Sequence, residues 1–284
     1  MANKGRLSTE ERLFGMEGRH VLIIGGGQGM GEATARLLAR LGCNLTLLDL
    51  EQERAERVCQ AVRAEGIKAW AIAADVTDEA QVVAAMERIE REFAPLDAMA
   101  AIVGMAGWSK LAEMTTETWD RDHNRNLRYF FIAARELARS LLARGAPGSI
   151  VAVSSVDGLR SAQNHGAYGA AKAGLVNLVR TMAAEWTPDG IRVNCVAPGA
   201  IVTPRIPLGP EEQERAAMAL VPMQRRGSTE DIARAIAFFL SDLSPYVSGQ
   251  TLAVDGGYLA KGGFSIGTPR VSSQGTLGVD DAKA

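Results

Sequence analysis

The chain has 284 residues, a formal net charge of −2 and 47% hydrophobic residues. That length can bury a sizeable core, in one large domain or two small ones. The near-neutral balance leaves no basic footprint for nucleic acid, and no apolar run reaches the length of a membrane span. The scattered Cys43, Cys59 and Cys195 make no CxxC or metal spacing. They read as reduced, mostly buried thiols of a cytosolic protein. His20, His123 and His165 fit no ligand pattern either, so no metal is expected. The polar stretch 1–17 lacks the apolar centre of a signal peptide and reads as an N-terminal extension, consistent with a cytoplasmic location.

From about residue 19, short β-rich runs alternate with helical segments. HVLII (20–24) precedes a helix through ATARLLARLG. NLTLLDL (44–50) precedes EQERAERVCQAVRAEG, and KAWAIAADV (68–76) precedes DEAQVVAAMERIEREF. DAMAAIV (97–103) leads to one long helical stretch of roughly 115–144. SIVAVSS (149–155) leads to a helix of roughly 166–187, IRVNCVA (191–197) to a helix of roughly 229–241, and QTLAV (250–254) closes the series. Right-handed βαβ crossovers then predict an α/β fold: a doubly wound parallel sheet of about seven strands in a single domain spanning 18–258. The strands are nearly continuous apolar runs, as a sheet covered on both faces requires. The Gly/Ser-rich stretch 259–284 reads as a tail, either disordered or docked on a partner or the active site.

GGGQGMG (25–31) lies between the first strand and the first helix. Gly25, Gly29 and Gly31 let backbone approach a pyrophosphate, with Gln28 and Met30 between them at the helix N-terminus, where free N–H groups attract an anion. The spacing is GxxxGxG, not the commoner GxGxxG, and a tight turn would also use such glycines. Asp49 ends the second strand, 18 residues past Gly31, where a carboxylate can accept from the adenosine ribose hydroxyls. Its plainer role is to cap the next helix. The same carboxylate repels a 2′-phosphate by roughly 4 kcal/mol at about 4 Å and a dielectric near 20. No Arg or Lys stands at Gln28 or Leu50 to compensate, so NAD is predicted over NADP. Asp75 and Val76 would meet the adenine, unless Asp75 only serves the turn before Thr77.

HGAYGAAKAG (165–174) places Tyr168 and Lys172 one helical turn apart, on one face. Such a pair is common on helix surfaces. Here the helix follows the fifth strand, so it starts at the ligand-binding rim of an α/β sheet, and Ser155 ends that strand. Bringing a phenol from a pKa of about 10 to about 7 needs about 4 kcal/mol. A lysine at about 5 Å supplies roughly 3 kcal/mol at a dielectric near 20. Lys172 with an oxidised nicotinamide nearby would make Tyr168 a general base.

These pieces resemble the short-chain dehydrogenase/reductase family over roughly residues 15–258. The resemblance rests on GxxxGxG at 25–31, Asp49, Asp75–Val76, Asn126 in NRNLRYFF, Ser155 with YGAAK at 168–172, NCVAPGAIVTP (194–204) and SGQTLAVDGGY (248–258). It implies a Rossmann-like fold with a catalytic set of Asn126, Ser155, Tyr168 and Lys172. Tyr168 is then the acid/base and Ser155 binds the substrate oxygen. Lys172 lowers the tyrosine pKa and holds ribose, and Asn126 helps order a proton-relay water. The implied cofactor contacts include Gly104, Pro198, Gly199, Ile201 and Thr203. Two positions depart from the family pattern: Ile24 replaces a usual Thr, and Gly104-Met105-Ala106-Gly107 replaces Asn-Asn-Ala-Gly.

The stretch 204–227 resembles the family's flap, with Met218, Leu220, Val221 and Met223 as an apolar lid. Trp108, His165 and the segment 156–165 should flank the reacting carbon. The implied activity is hydride transfer between NAD and a mostly apolar secondary alcohol or ketone. An NADP-dependent ketone or 3-oxoacyl-carrier reductase is second, weakened by Asp189 where those reductases carry a basic residue. A catalytically silent NAD-binding sensor is third. The usual assembly is a homotetramer built on the two long helices.

Overall fold

In the computed structural model, which describes residues 13–261, seven strands form one sheet. They are β1 (His20–Ile24), β2 (Asn44–Asp49), β3 (Ala69–Ala73), β4 (Ala98–Ala101), β5 (Gly148–Val153), β6 (Ile191–Pro198) and β7 (Thr251–Val254). All pair in parallel in the order β3-β2-β1-β4-β5-β6-β7. The expected doubly wound α/β sheet is therefore present. The order reverses between β1 and β4, whose ends pair as Ile24 with Ala101. The loops leaving those two strands emerge side by side and open the crevice where such sheets take ligands. Most of the expected extension and tail lies outside the described residues.

The sheet is covered on both faces, and the strand residues alternate between two cores. Leu22 and Ile24 of β1 join a core with α3 (Glu79–Glu92), α5 (Tyr129–Arg144) and α6 (Gly166–Trp186). Val21 and Ile23 join the other, with α1 (Gly29–Arg40), α2 (Gln52–Arg63) and α8 (Thr229–Leu240). This period-2 division explains why the strands read as unbroken apolar runs. Helix starts follow local chemistry: Asp78 caps α3 by accepting from Ala80 and Gln81 N–H, and Ser228 with Asp231 forms a capping box at α8.

The long helix expected over 115–144 is not continuous. α4 (Thr116–His123) passes into a π-helical turn at Asn124–Arg128 before α5 begins. Asn126 sits in that turn, wholly buried. A widened turn of this kind shifts side-chain directions and is common at functional sites. α7 (Glu211–Met218) lies within the expected flap.

Candidate active site

The phosphate loop is built by close approach. Gly25 and Gly29 have φ of +85° and +57°. A Cβ on Gly31 would overlap the Gly25 carbonyl, so α1 packs against the loop only because that position has no side chain. Gln28 gives α1 no side-chain cap, which leaves its first N–H groups for an anion. The residues fit a dinucleotide pyrophosphate. Gly27 belongs to the same cradle: its Cβ would lie 2.7 Å from Asp49 Oδ2.

Asp49 is 5% exposed and its oxygens are already engaged. Oδ2 accepts from Gly27 N–H at 2.9 Å, and Oδ1 takes the Arg54 guanidinium through Nε at 3.0 Å and through Nη2. Gln28 and Leu50 are the positions where sequence suggests a compensating cation; the cation present is Arg54, five residues past Asp49 and in the first turn of α2. A second cation, Arg205, stands 3.1 Å from the oxygen of the Gln28 amide in its hydrogen-bonded orientation. The charge penalty on a 2′-phosphate is therefore smaller than Asp49 alone implies. Arg54 is committed elsewhere, however, since it also pairs with Glu51 at 2.8 Å. Leu50 is exposed at the same rim, and Val76 is buried. Asp75 Oδ1 accepts from Thr77 N–H at 2.9 Å and Thr77 hydroxyl at 2.7 Å, the turn role.

At the rim of β5 and α6 the expected chemical groups converge. Ser154 donates to the Lys172 carbonyl at 3.0 Å, and a Cβ on Gly158 would lie 2.7 Å from the Lys172 carbonyl carbon. The loop after β5 is thus pressed onto the helix that carries Tyr168. Lys172 is 1% exposed, donates from Nζ to Val153 O at 2.8 Å, and lies 5.6 Å from the Tyr168 ring centroid. A Cβ on Gly104 would stand 3.1 Å from that Nζ and from Asn126 Oδ1, so glycine here opens the β4 loop over the lysine.

The electrostatics differ from the expectation. Burial pushes the Tyr168 phenol up to about 12; the adjacent Ser155 hydroxyl pulls the other way, and Asp157 and Asp122 add to the rise. Burial also lowers the Lys172 ammonium to about 8. Burial outweighs the pull that Lys172 exerts on Tyr168, because both groups have lost water and the lysine carries less charge above that pH.

Asn126 faces the chain rather than open solvent. Its Nδ2 donates to Met105 O and Asp122 O, both at 2.8 Å, and its Oδ1 accepts from Met105 N–H at 3.2 Å. The amide clasps the 104–107 loop, so the structure gives it a positioning role; the expected relay-water role would have to use other atoms of this turn. Asp122, one turn earlier and 2% exposed, accepts from Gly107 N–H at 2.9 Å. The sequence reading did not single it out, although its i, i+4 spacing to Asn126 was available.

On the other side, Pro198 ends β6, and a Cβ on Gly199 would lie 2.8 Å from Asp255 Cα. The Ile201 side chain is buried in the core near Gly227, so its contact with a cofactor would run through backbone. Thr203 Oγ1 accepts from Ile206 N–H at 3.1 Å, and Pro204 lies against Gly29. The expected apolar lid divides: Met218 and Val221 are buried, whereas Leu220 and Met223 are exposed. Trp108 is 73% exposed and stacks at a tilt on His165, with ring centroids 3.8 Å apart. Cys43, Cys59 and Cys195 are free and buried, as expected.

A family model described as enoyl-(acyl carrier protein) reductase matches residues 25–259. The chain is 39% identical over 243 residues to cis-4-hydroxycyclohexanecarboxylate dehydrogenase of Sinomonas cyclohexanicum, covering 85% of this chain and 97% of the relative. It is 34% identical over 244 residues to a 3-oxoacyl-(acyl-carrier-protein) reductase of Thermotoga maritima, covering 85% and 98%. Among solved structures, levodione reductase superposes with a TM-score of 0.81 at 34% identity, over 86% of this chain and 98% of the other.

Proposed function

This chain belongs to the short-chain dehydrogenase/reductase family of nicotinamide-dependent oxidoreductases, and from that premise we propose that it moves a hydride between NAD and a secondary alcohol or its ketone. The observation that carries the reading is the buried Lys172, held under Gly104 and 5.6 Å from the Tyr168 ring. NAD, when bound, supplies the hydride acceptor. Gly25–Gly31 and the α1 N-terminus would hold its pyrophosphate, Asp49 the adenosine ribose, and Lys172 with Tyr168 the nicotinamide ribose. Pro198, Gly199, Ile201 and Thr203 would border the nicotinamide end.

Ser155 would hold the substrate oxygen, and Tyr168 would take the hydroxyl proton in oxidation and return it in reduction. A phenol pushed to about 12 keeps its proton, so the chain alone is set as the acid. Bringing that phenol to about 7 takes about 7 kcal/mol. One ammonium at about 5 Å gives roughly 3 kcal/mol at a dielectric near 20. The base form therefore needs positive charge beyond Lys172, and a site containing oxidised nicotinamide is where that charge is present. Asn126 would act by holding the Met105 loop in place.

The test is Tyr168→Phe. Turnover should fall at least 1,000-fold while NADH affinity stays within a few-fold. Retained turnover would refute the assignment. Arg54 beside Asp49, together with the Thermotoga maritima likeness, favours an NADP-dependent reductase as the second reading. Comparing kcat/KM for the two cofactors decides between them. The proposal extends to a homotetramer in the cytoplasm. The support for the assembly is an apolar groove between α6 and the π-helical turn with the start of α5, lined by Leu127, Phe131 and Leu178; among the described residues no helix is long and apolar enough to cross a membrane. Light scattering of the purified chain tests the assembly.

A further inference from the structure

Ser155 and Tyr168 share their two segments with a second polar pair, Asp157 and His165. His165 Nδ1 lies 2.7 Å from Asp157 Oδ2. An ionised carboxylate only accepts, so Nδ1 carries the proton, and in the neutral ring Nε2 is left as an acceptor. That Nε2 is buried and has no hydrogen-bond partner among the described residues. Buried polar atoms left unpaired are rare and usually have a reason.

Asp157, Trp108 and Tyr168 hold the ring. The Trp108 indole lies at 3.8 Å between centroids, and Tyr168 meets it edge-on at 5.6 Å. Ser109 N–H donates to Asn164 O at 3.0 Å, pinning the backbone before the histidine. Asp157 N–H donates to Ser155 Oγ at 3.1 Å, which ties the dyad to the group expected to bind the substrate oxygen. A held acceptor thus sits one ring away from the phenol.

Resting on the reading of Tyr168 as acid/base, we propose that His165 accepts a hydrogen bond from a second hydroxyl of the substrate. The preferred substrates are then vicinal or 1,3-diols, with the oxidised carbon at Tyr168 and the neighbouring hydroxyl at His165. Asp157 fixes the tautomer, and Trp108, itself exposed, covers the ring at the rim and swings aside to admit the second hydroxyl to Nε2.

The experiment measures NADH formation at pH 9 from cyclohexanol and from the cis and trans cyclohexane-1,2- and 1,3-diols, with the wild type, His165→Phe and Asp157→Ala. The readout is the ratio of kcat/KM, diol over cyclohexanol. For one hydrogen bond to a neutral acceptor the wild-type ratio should be about tenfold for at least one diol. It should fall to near one in His165→Phe and drop in Asp157→Ala. A ratio near one in the wild type, or one that survives in either variant, overturns the proposal. If the wild type binds NADH but oxidises no substrate of the set, the dehydrogenase reading itself has failed, which is a distinct result.

Discussion

Replacing Lys172 with methionine tests the electrostatics of the site without any substrate. The ammonium is 1% exposed, and burial lowers it from 10.5 to about 8. Between those values the unfolded chain keeps the proton that the folded chain has released, so the lysine's destabilising effect is largest below pH 8 and fades as pH rises. From pH 7 to pH 9 the relief is about 1.4 kcal/mol. The wild-type profile alone would hide it. Burial pushes Cys43 and Cys59 up to about 12 and Cys195 to about 11, so these thiols remove stability as pH rises past 9, their unfolded value. Cys43 and Cys59 cancel in the difference between variant and wild type, and Cys195, which interacts with the Lys172 charge, stays protonated in the folded chain through pH 9 in both. The loss of the bond from Nζ to Val153 O costs about 1–3 kcal/mol; its pH-independent part drops out of the comparison, and any difference between ammonium and amine is already contained in the lowered pKa. Urea unfolding of the cofactor-free proteins, at matched protomer concentration, should show the stability of Lys172→Met relative to wild type falling by about 1.4 kcal/mol between pH 7 and pH 9. A difference that does not move with pH would refute a depressed, buried ammonium.

Two further substitutions probe the loops. Asp49→Ser removes the carboxylate that occupies Nε and Nη2 of Arg54 and frees that edge of the guanidinium for a 2′-phosphate, while Nη1 stays on Glu51. A charge-assisted bond gained by NADP and one lost by NAD, at about 1.5–3 kcal/mol each, should move the kcat/KM ratio toward NADP at least about 100-fold. Asn126→Ala deletes the three bonds made by a wholly buried amide, two of them to Met105. It should lower stability by about 3 kcal/mol in urea and cut kcat through the loosened 104–107 loop.

The central strands were legible because they bury both faces, and the two cores impose apolar character at Val21–Ile24 of β1. The break at Asn124–Arg128 was not. The run DRDHNRN (120–126) carries no Gly or Pro to mark a break, and the wider turn is held by Asn126 bonds to Asp122 and to the Met105 backbone, which the loop after β4 brings in. Tyr168, Lys172 and Ser155 were found from spacing, since one helix and the end of one strand place them. Arg54 escaped because its partner is set by how α2 packs beside β2. Asp75 looked equally suited to adenine and to a turn, and Thr77 took it. The phenol's upward shift was invisible to a charge argument based on Lys172, because the sequence does not state how completely both groups lose water. The pairing of Asp157 with His165 depends on a loop that doubles back, which no periodicity encodes.

The central claim is that hydride leaves a carbinol carbon for NAD while Tyr168 takes the hydroxyl proton. The direct measurement is to incubate the enzyme with NAD and a secondary alcohol deuterated at the carbinol carbon, then examine the NADH by mass spectrometry. The account predicts one deuterium per NADH formed with the wild type, and no NADH above background with Tyr168→Phe. Unlabelled NADH, or labelled NADH formed at the wild-type rate by the phenylalanine variant, would contradict it.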